Sequence, residues 1–151
     1  MATDRLLALL VEDATIRIAV HSDADFLTRN ADASSAVVRR KIELEEFIVA
    51  VLNGELAGFL QLGYLWSKVP YIALIRVLPE YQRSGIGKGM LEFAEDFLRE
   101  KGYRSLYSSS QADEPEPHAW HRHVGFRECG IIRGINDGID EVFFCKSLLD
   151  E

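Results

Sequence analysis

Two periodicities alternate along the chain. Ile86, Met90, Phe93, Ala94, Phe97 and Leu98 recur at three- and four-residue spacing, which gathers them on one helix face. Gly102 follows where a left-handed C-cap would end that helix. Elsewhere, short runs rich in Val, Ile, Phe and Tyr are bounded by turn residues, the mark of strands. Phe47 to Leu52 and Glu55 to Leu62 flank Asn53-Gly54, a dipeptide suited to a type I′ turn, and so predict a hairpin. Tyr71 to Leu78 is apolar apart from Arg76, too continuous to be half-exposed, which predicts a central strand buried on both faces. Thr15 to Val20, Arg104 to Ser109, Phe126 to Ile132 and Glu141 to Lys146 complete the strands, the last two around Asn136-Asp137-Gly138.

The remaining helices have their own signals. His21-Ser22-Asp23 is a turn and cap for a helix over about Ala24 to Asn30, and a second segment covers Val37 to Glu45. Pro115 to His123 predicts a short helix, with Pro117 tolerated in its first turn. The order is strand, two helices, three strands, helix, strand, helix, two strands. That pattern predicts an α/β chain: a central mixed sheet flanked by about four helices. No linker or repeat interrupts it, and 151 residues suit a single domain over 1–151. Leu6 to Val11 is apolar, but acidic residues flank it and it is far too short to cross a bilayer, so a cytoplasmic protein is expected.

Charge narrows the partners. With 17 basic and 24 acidic residues the net charge is −7, which repels nucleic acid and membrane lipid and mildly favours a cationic acceptor. Cys129 and Cys145 have no metal-binding spacing and read as small buried hydrophobes in a reducing compartment. His118 and His121 would share a helix face with His123 turned away, so no metal quartet forms and no metal is expected.

The stretch carrying chemistry is Gln82-Arg83-Ser84-Gly85-Ile86-Gly87-Lys88-Gly89, between a strand and the amphipathic helix. Glycines there admit positive φ and close approach of a ligand, and the N–H groups of a helix's first turn attract anions. Arg83 and Lys88 add positive charge. A phosphate or pyrophosphate fits this turn. A nucleotide-hydrolase loop would need glycine at Gln82 and Ser or Thr at Gly89, and a dinucleotide fingerprint would need glycine at Met90.

Gln82-Arg83-x-Gly85-x-Gly87 resembles the Q/R-x-x-G-x-G/A signature of the GNAT superfamily of N-acetyltransferases. Trp120-His121-Arg122-His123-Val124-Gly125-Phe126 resembles that family's aromatic-Tyr-x-x-x-Gly-Phe corner, and the element order from about Thr15 to Lys146 is similar too. The resemblance implies acetyl-CoA as cosubstrate, no metal, and an acyl-CoA N-acyltransferase fold. It implies that the pantetheine arm enters between the strands of Tyr71 to Leu78 and Arg104 to Ser109, pairing near Val77 and Leu78. The pyrophosphate would lie on backbone N–H groups from Arg83 to Lys88, and Val77 N–H would face the oxyanion.

The acceptor amine, with a pKa of about 10.4, is about 99.9% protonated at pH 7, so a base must take a proton. Here the sequence departs from the family. Where a tyrosine commonly protonates the thiolate stands His121, which can donate, act as base or only hydrogen-bond the sulfur. Where an asparagine is common stands Glu114. Tyr71 to Val77 carries no carboxylate, and Glu43, Glu45, Glu46 and Glu80 read as solvated surface. The base is therefore unassigned at this level. Tyr64, Trp66 and Tyr71 would wall an acceptor, pack in the core or form a homodimer contact. Three functions remain open: acetylation of a small-molecule or peptide amine, non-catalytic acyl-CoA binding, and protein N-terminal acetylation.

Overall fold

The computed structural model describes residues 9–11 and 14–149. Its strands are β1 (Leu9–Val11), β2 (Ala14–Ile18), β3 (Phe47–Leu52), β4 (Glu55–Leu65), β5 (Val69–Val77), β6 (Ser105–Gln111), β7 (Arg127–Asn136) and β8 (Ile139–Ser147). Its helices are α1 (Ala24–Asn30), α2 (Ser35–Glu43), α3 (Ile86–Glu100) and α4 (Pro115–His123). The strands form one sheet in the order β1-β2-β3-β4-β5-β6-β8-β7, antiparallel except where β5 meets β6 in parallel. β1 belongs to the apolar run the pattern left unassigned; the residues of that run before Leu9 lie outside the described residues.

Turn chemistry sets the hairpins. Asn53 and Gly54 both have positive φ (+52° and +79°), the type I′ geometry, as do Asp137 and Gly138 (+52° and +90°) between β7 and β8. Gly102, at φ +91°, ends α3 in a Schellman arrangement: its N–H bonds Arg99 O, and Tyr103 N–H bonds Leu98 O.

The helices cover the sheet from both sides. α3 buries Ile86, Met90, Phe93, Ala94 and Leu98 against Ile48, Leu60 and Leu62, joined by Phe126 and Phe144 beside α4. Each such side chain contributes on the order of 1.5–3 kcal/mol. On the other face α1 and α2 bury Leu27, Val38 and Ile42 against Phe47, Val49 and Phe59 of β3 and β4, with Leu74 of β5 at the margin. A buried ion pair ties α3 to β8: Lys146 Nζ lies 2.6 Å from Glu95 and also donates to Val124 O at the end of α4. Gly125, at φ +98°, leaves room for it, since a Cβ there would lie 3.1 Å from the Lys146 chain.

Two expectations change. β5 is central but not buried on both faces: Ala73 and Arg76 are exposed and its later half is only partly covered, because its neighbour on one side moves away. The cysteines are not buried. Cys129 is exposed on β7, an edge strand, at a bulge between Glu128 and Gly130, and Cys145 is half-buried on β8.

Close backbone approach at Gly58, opposite Val77, fixes the end of β5. A Cβ on Gly58 would lie 2.6 Å from Arg76 O, an atom that cannot swing aside. Gly58→Ala should therefore lower stability in urea denaturation by about 2 kcal/mol. Gly87→Ala, whose Cβ would meet only Val77 Cγ2 at 3.8 Å, should cost far less.

Candidate active site

The site is a gap in the sheet. β5 pairs with β4 from Val69 to Val77, yet with β6 only at Tyr71↔Tyr107. A bulge explains the parting. Gln61 pairs with Leu74 and Leu62 with Ile72, so Ala73 is an extra residue on β5, and bulges bend and twist a strand. From Tyr71 to Val77 the strand runs roughly 20 Å along the gap. Leu78 N–H bonds Ala57 O on β4 at 2.9 Å. Alternation along the ladder then turns Val77 N–H the other way, into the gap. Val77 O accepts from Gln82 Nε2 at 3.1 Å, which holds the start of the glycine turn against the strand.

The turn stands at the open end. Gly85, at φ +84°, is the N-cap of α3 with no side-chain cap, and Arg83 is also left-handed at φ +65°. The first intrahelical bond runs from Gly89 N–H to Gly85 O. The N–H groups of Ile86, Gly87 and Lys88 therefore have no helical partner and form an anion cradle. Ser84 spends its hydroxyl on Tyr81 O, while the Arg83 and Lys88 side chains are exposed. The long gap and the uncapped helix start fit an extended ligand with a phosphate end.

The closed end is a cleft of about 600 Å³, lined by β5 residues Ile72 to Ile75, by β6 residues Ser108 to Gln111, by Trp120 and His121 from α4, and by Glu114, Glu116, Asn136 and Glu141. Successive β6 residues point to opposite faces. Ser108 Oγ lies 2.7 Å from His121 Nε2 on one face, and Ser109 Oγ donates to Glu141 Oε2 at 2.8 Å on the other. The two titratable groups thus flank the gap from its two sides.

His121 is buried, stacked on Phe144 at 4.4 Å. Its Nδ1 lies 2.7 Å from Pro117 O. A carbonyl only accepts, so Nδ1 carries the proton and Nε2 of the neutral ring accepts from Ser108. Burial pushes its pKa below 6.5, partly offset by the Pro117 bond. Ser110 Oγ, on the same face, is buried with no hydrogen-bond partner among the described residues and borders the cleft.

Of the acidic residues weighed from the sequence, only Glu114 reaches this cleft, and it is exposed. Glu46 pairs with Lys41 at 2.9 Å, Glu45 with Lys101, Glu43 with Arg40, and Glu80 is exposed. Glu141 was missed because its strand is adjacent to β6 only in space. Among the described residues no group of three or more His, Cys, Asp or Glu side chains could hold a metal. No described helix is long and apolar enough to cross a membrane.

The profile of the acetyltransferase (GNAT) family matches residues 7–126. The chain belongs to that family. It is an N-acetyltransferase with acetyl-CoA as donor. An aminoglycoside N(6′)-acetyltransferase type 1 of Stenotrophomonas maltophilia is 31% identical over 128 residues, 76% of this chain and 78% of that enzyme. A streptothricin acetyltransferase of Streptomyces lavendulae is 33% identical over 61% of this chain, which spans only 49% of that enzyme. In fold the acetyltransferase is similar to Ard1 of Thermoplasma volcanium, with a TM-score of 0.81, 19% identity, and coverage of 91% of this chain and 99% of that one.

The His121 shift has a sign. The folded state holds the imidazole neutral, so its contribution is present above about pH 6.5 and is lost as pH falls, when the unfolded chain binds the proton first. The stability advantage of wild type over His121→Gln should shrink between pH 7.5 and 5, as read by urea midpoints at each pH.

Proposed function

We propose that this single domain acetylates a primary amine by direct attack within the β5–β6 gap, with Glu141 as general base. The observation that carries this reading is the Ser109–Glu141 contact: a half-buried carboxylate, held by a hydrogen bond from β6, facing the cleft on the side opposite His121. Glu114 and Glu116 also border the cleft, but both are exposed. A carboxylate fixed on a strand is better placed for proton transfer than one at the mouth of a helix. The absence of a carboxylate from Tyr71 to Val77 kept a purely binding role open; Glu141 supplies that group from β8.

Acetyl-CoA supplies an activated acetyl thioester. Ile86, Gly87 and Lys88 offer N–H groups to its pyrophosphate, with Arg83 and Lys88 as countercharges and Gln82, Ser84, Gly85 and Gly89 shaping the turn. Val77 N–H points at the oxyanion position. Leu78 N–H is committed to Ala57, so Val77 rather than Leu78 offers the free amide. The ammonium of the acceptor gives one proton to Glu141, and its nitrogen bonds the acetyl carbon. As the C–S bond breaks, the second proton on that nitrogen passes to the departing thiolate, leaving the amide and the free thiol of CoA. His121 Nε2 accepts the Ser108 hydroxyl proton, so the pair is fixed with that proton spent within the chain and lines the cleft on the face opposite Glu141. A cytoplasmic location fits this chemistry, with acetyl-CoA at hand and both thiols reduced.

Gly87→Asp should abolish acetyl-CoA binding in calorimetry while the thermal midpoint stays near wild type, since that Cβ would meet only Val77 Cγ2, at an ordinary contact distance of 3.8 Å. Glu141→Gln should keep acetyl-CoA binding but lower kcat by about 10²–10⁴-fold. Its residual rate should keep rising with pH as the amine deprotonates. If Glu141→Gln turns over at the wild-type rate, Glu141 is not the base.

A further inference from the structure

A second cavity, of about 500 Å³, adjoins the reaction cleft on the Glu141 face. Ser109, Asn136 and Glu141 line both. The rest of its wall is apolar: Leu65 and Trp66 from the β4–β5 hairpin, Ile132 and Ile135 from β7, Phe143 from β8 and the ring of Tyr71. The register explains the grouping, because Ile132 pairs with Glu141, and Ser109 with Phe143. Cross-strand partners share a face, so carboxylate and apolar wall stand side by side. The cluster under α1 and α2 stops at β5, which leaves this half of the face with no described helix over it.

The wall is costly in the empty protein. Trp66 is 79% exposed and Ile135 58%. Trp66 also sits at φ +51°, left-handed backbone that an aromatic residue rarely adopts. An exposed indole held in an unfavourable turn gains nothing within the chain, and local strain of this kind clusters at ligand clamps.

We infer that the acceptor is a primary amine bearing a bulky apolar group, which seats against Trp66, Ile132 and Ile135 while its ammonium faces Glu141. This rests on the acetyl-transfer reading above and names the substrate class of the same site. One carboxylate beside an apolar pocket matches one ammonium beside a hydrocarbon or aryl group. A polyhydroxylated polycation would leave its hydroxyls and further ammonium groups unpaired against Leu65, Ile132 and Ile135.

The test is steady-state acetylation of phenethylamine, isoamylamine, ethanolamine and kanamycin at fixed acetyl-CoA, with acetyl-CoA binding measured in parallel. The expected result is a kcat/KM for phenethylamine on the order of 100-fold above that for ethanolamine. Trp66→Ala and Ile135→Ser should each cut that ratio about tenfold through KM, and phenethylamine should shift the Trp66 fluorescence that Trp66→Ala removes. A preference for kanamycin or ethanolamine overturns the proposal and leaves acetyl transfer standing. So does a dimer in sedimentation that Ile135→Ser dissociates without changing the phenethylamine KM, because the patch would then belong to a second copy. Bound acetyl-CoA with none of the amines acetylated sinks both readings.

Discussion

The molecule's chemistry depends on one unequal bargain in strand pairing: β5 stays with β4 along its length and leaves β6 after Tyr71. A parallel neighbour that parts company exposes backbone N–H and C=O groups, which would normally be a liability in the middle of a sheet. Here the flanking elements hold the opening. Gly58 lets β4 press against the end of β5, and the extra residue at Ala73 supplies the bend. Lys146 binds Glu95 of α3 and the end of α4, so the β6–β8 half remains fastened to the helix that packs under both halves. The gap is thus a consequence of rigid parts, and an extended ligand can enter it as a missing strand would.

That geometry also divides the labour. Because neighbouring residues on a strand face opposite ways, Ser108 and Ser109 carry two different environments to one place. On the α4 side, Phe144, Trp120 and Phe126 surround His121 and withdraw it from water, so the ring is neutral and its proton stays on Nδ1. On the open side, Glu141 keeps access to the cleft. One cleft is thus offered a buried neutral imidazole on one face and an accessible carboxylate on the other.

Most of the scaffold was legible because its signals are local. The heptad-like spacing of α3, the Asn53-Gly54 and Asp137-Gly138 turns, the Gly102 stop and the limits of α1 and α4 all rest on residues within a few positions of one another. The glycine turn was legible for the same reason, as a departure from helix-forming composition where a helix begins. What stayed hidden is whatever depends on which strands become neighbours. Glu141 lies 32 residues from Ser109 in sequence, and only the β6–β8 register brings the two together. The apolar run of Tyr71 to Val77 suggested burial on both faces, and the error has the same root: a strand's hydrophobicity cannot reveal that its parallel neighbour will turn away.

The apolar wall beside Glu141 follows from this arrangement. An edge strand with solvent on both sides would ordinarily carry charge as protection against pairing with other chains. β7 does so with Arg127 and Glu128 at its start, then places Ile131, Ile132 and Ile135 on either side of Arg133 toward its hairpin end, all exposed. Ile132 and Ile135 gather around the cavity that Glu141 borders. Apolar side chains thus outnumber charges at the hairpin end of the edge, where the inferred acceptor pocket lies. On the inferred reading, acceptor specificity falls to β7 and the β4–β5 hairpin, while the glycine turn at the start of α3 serves the donor.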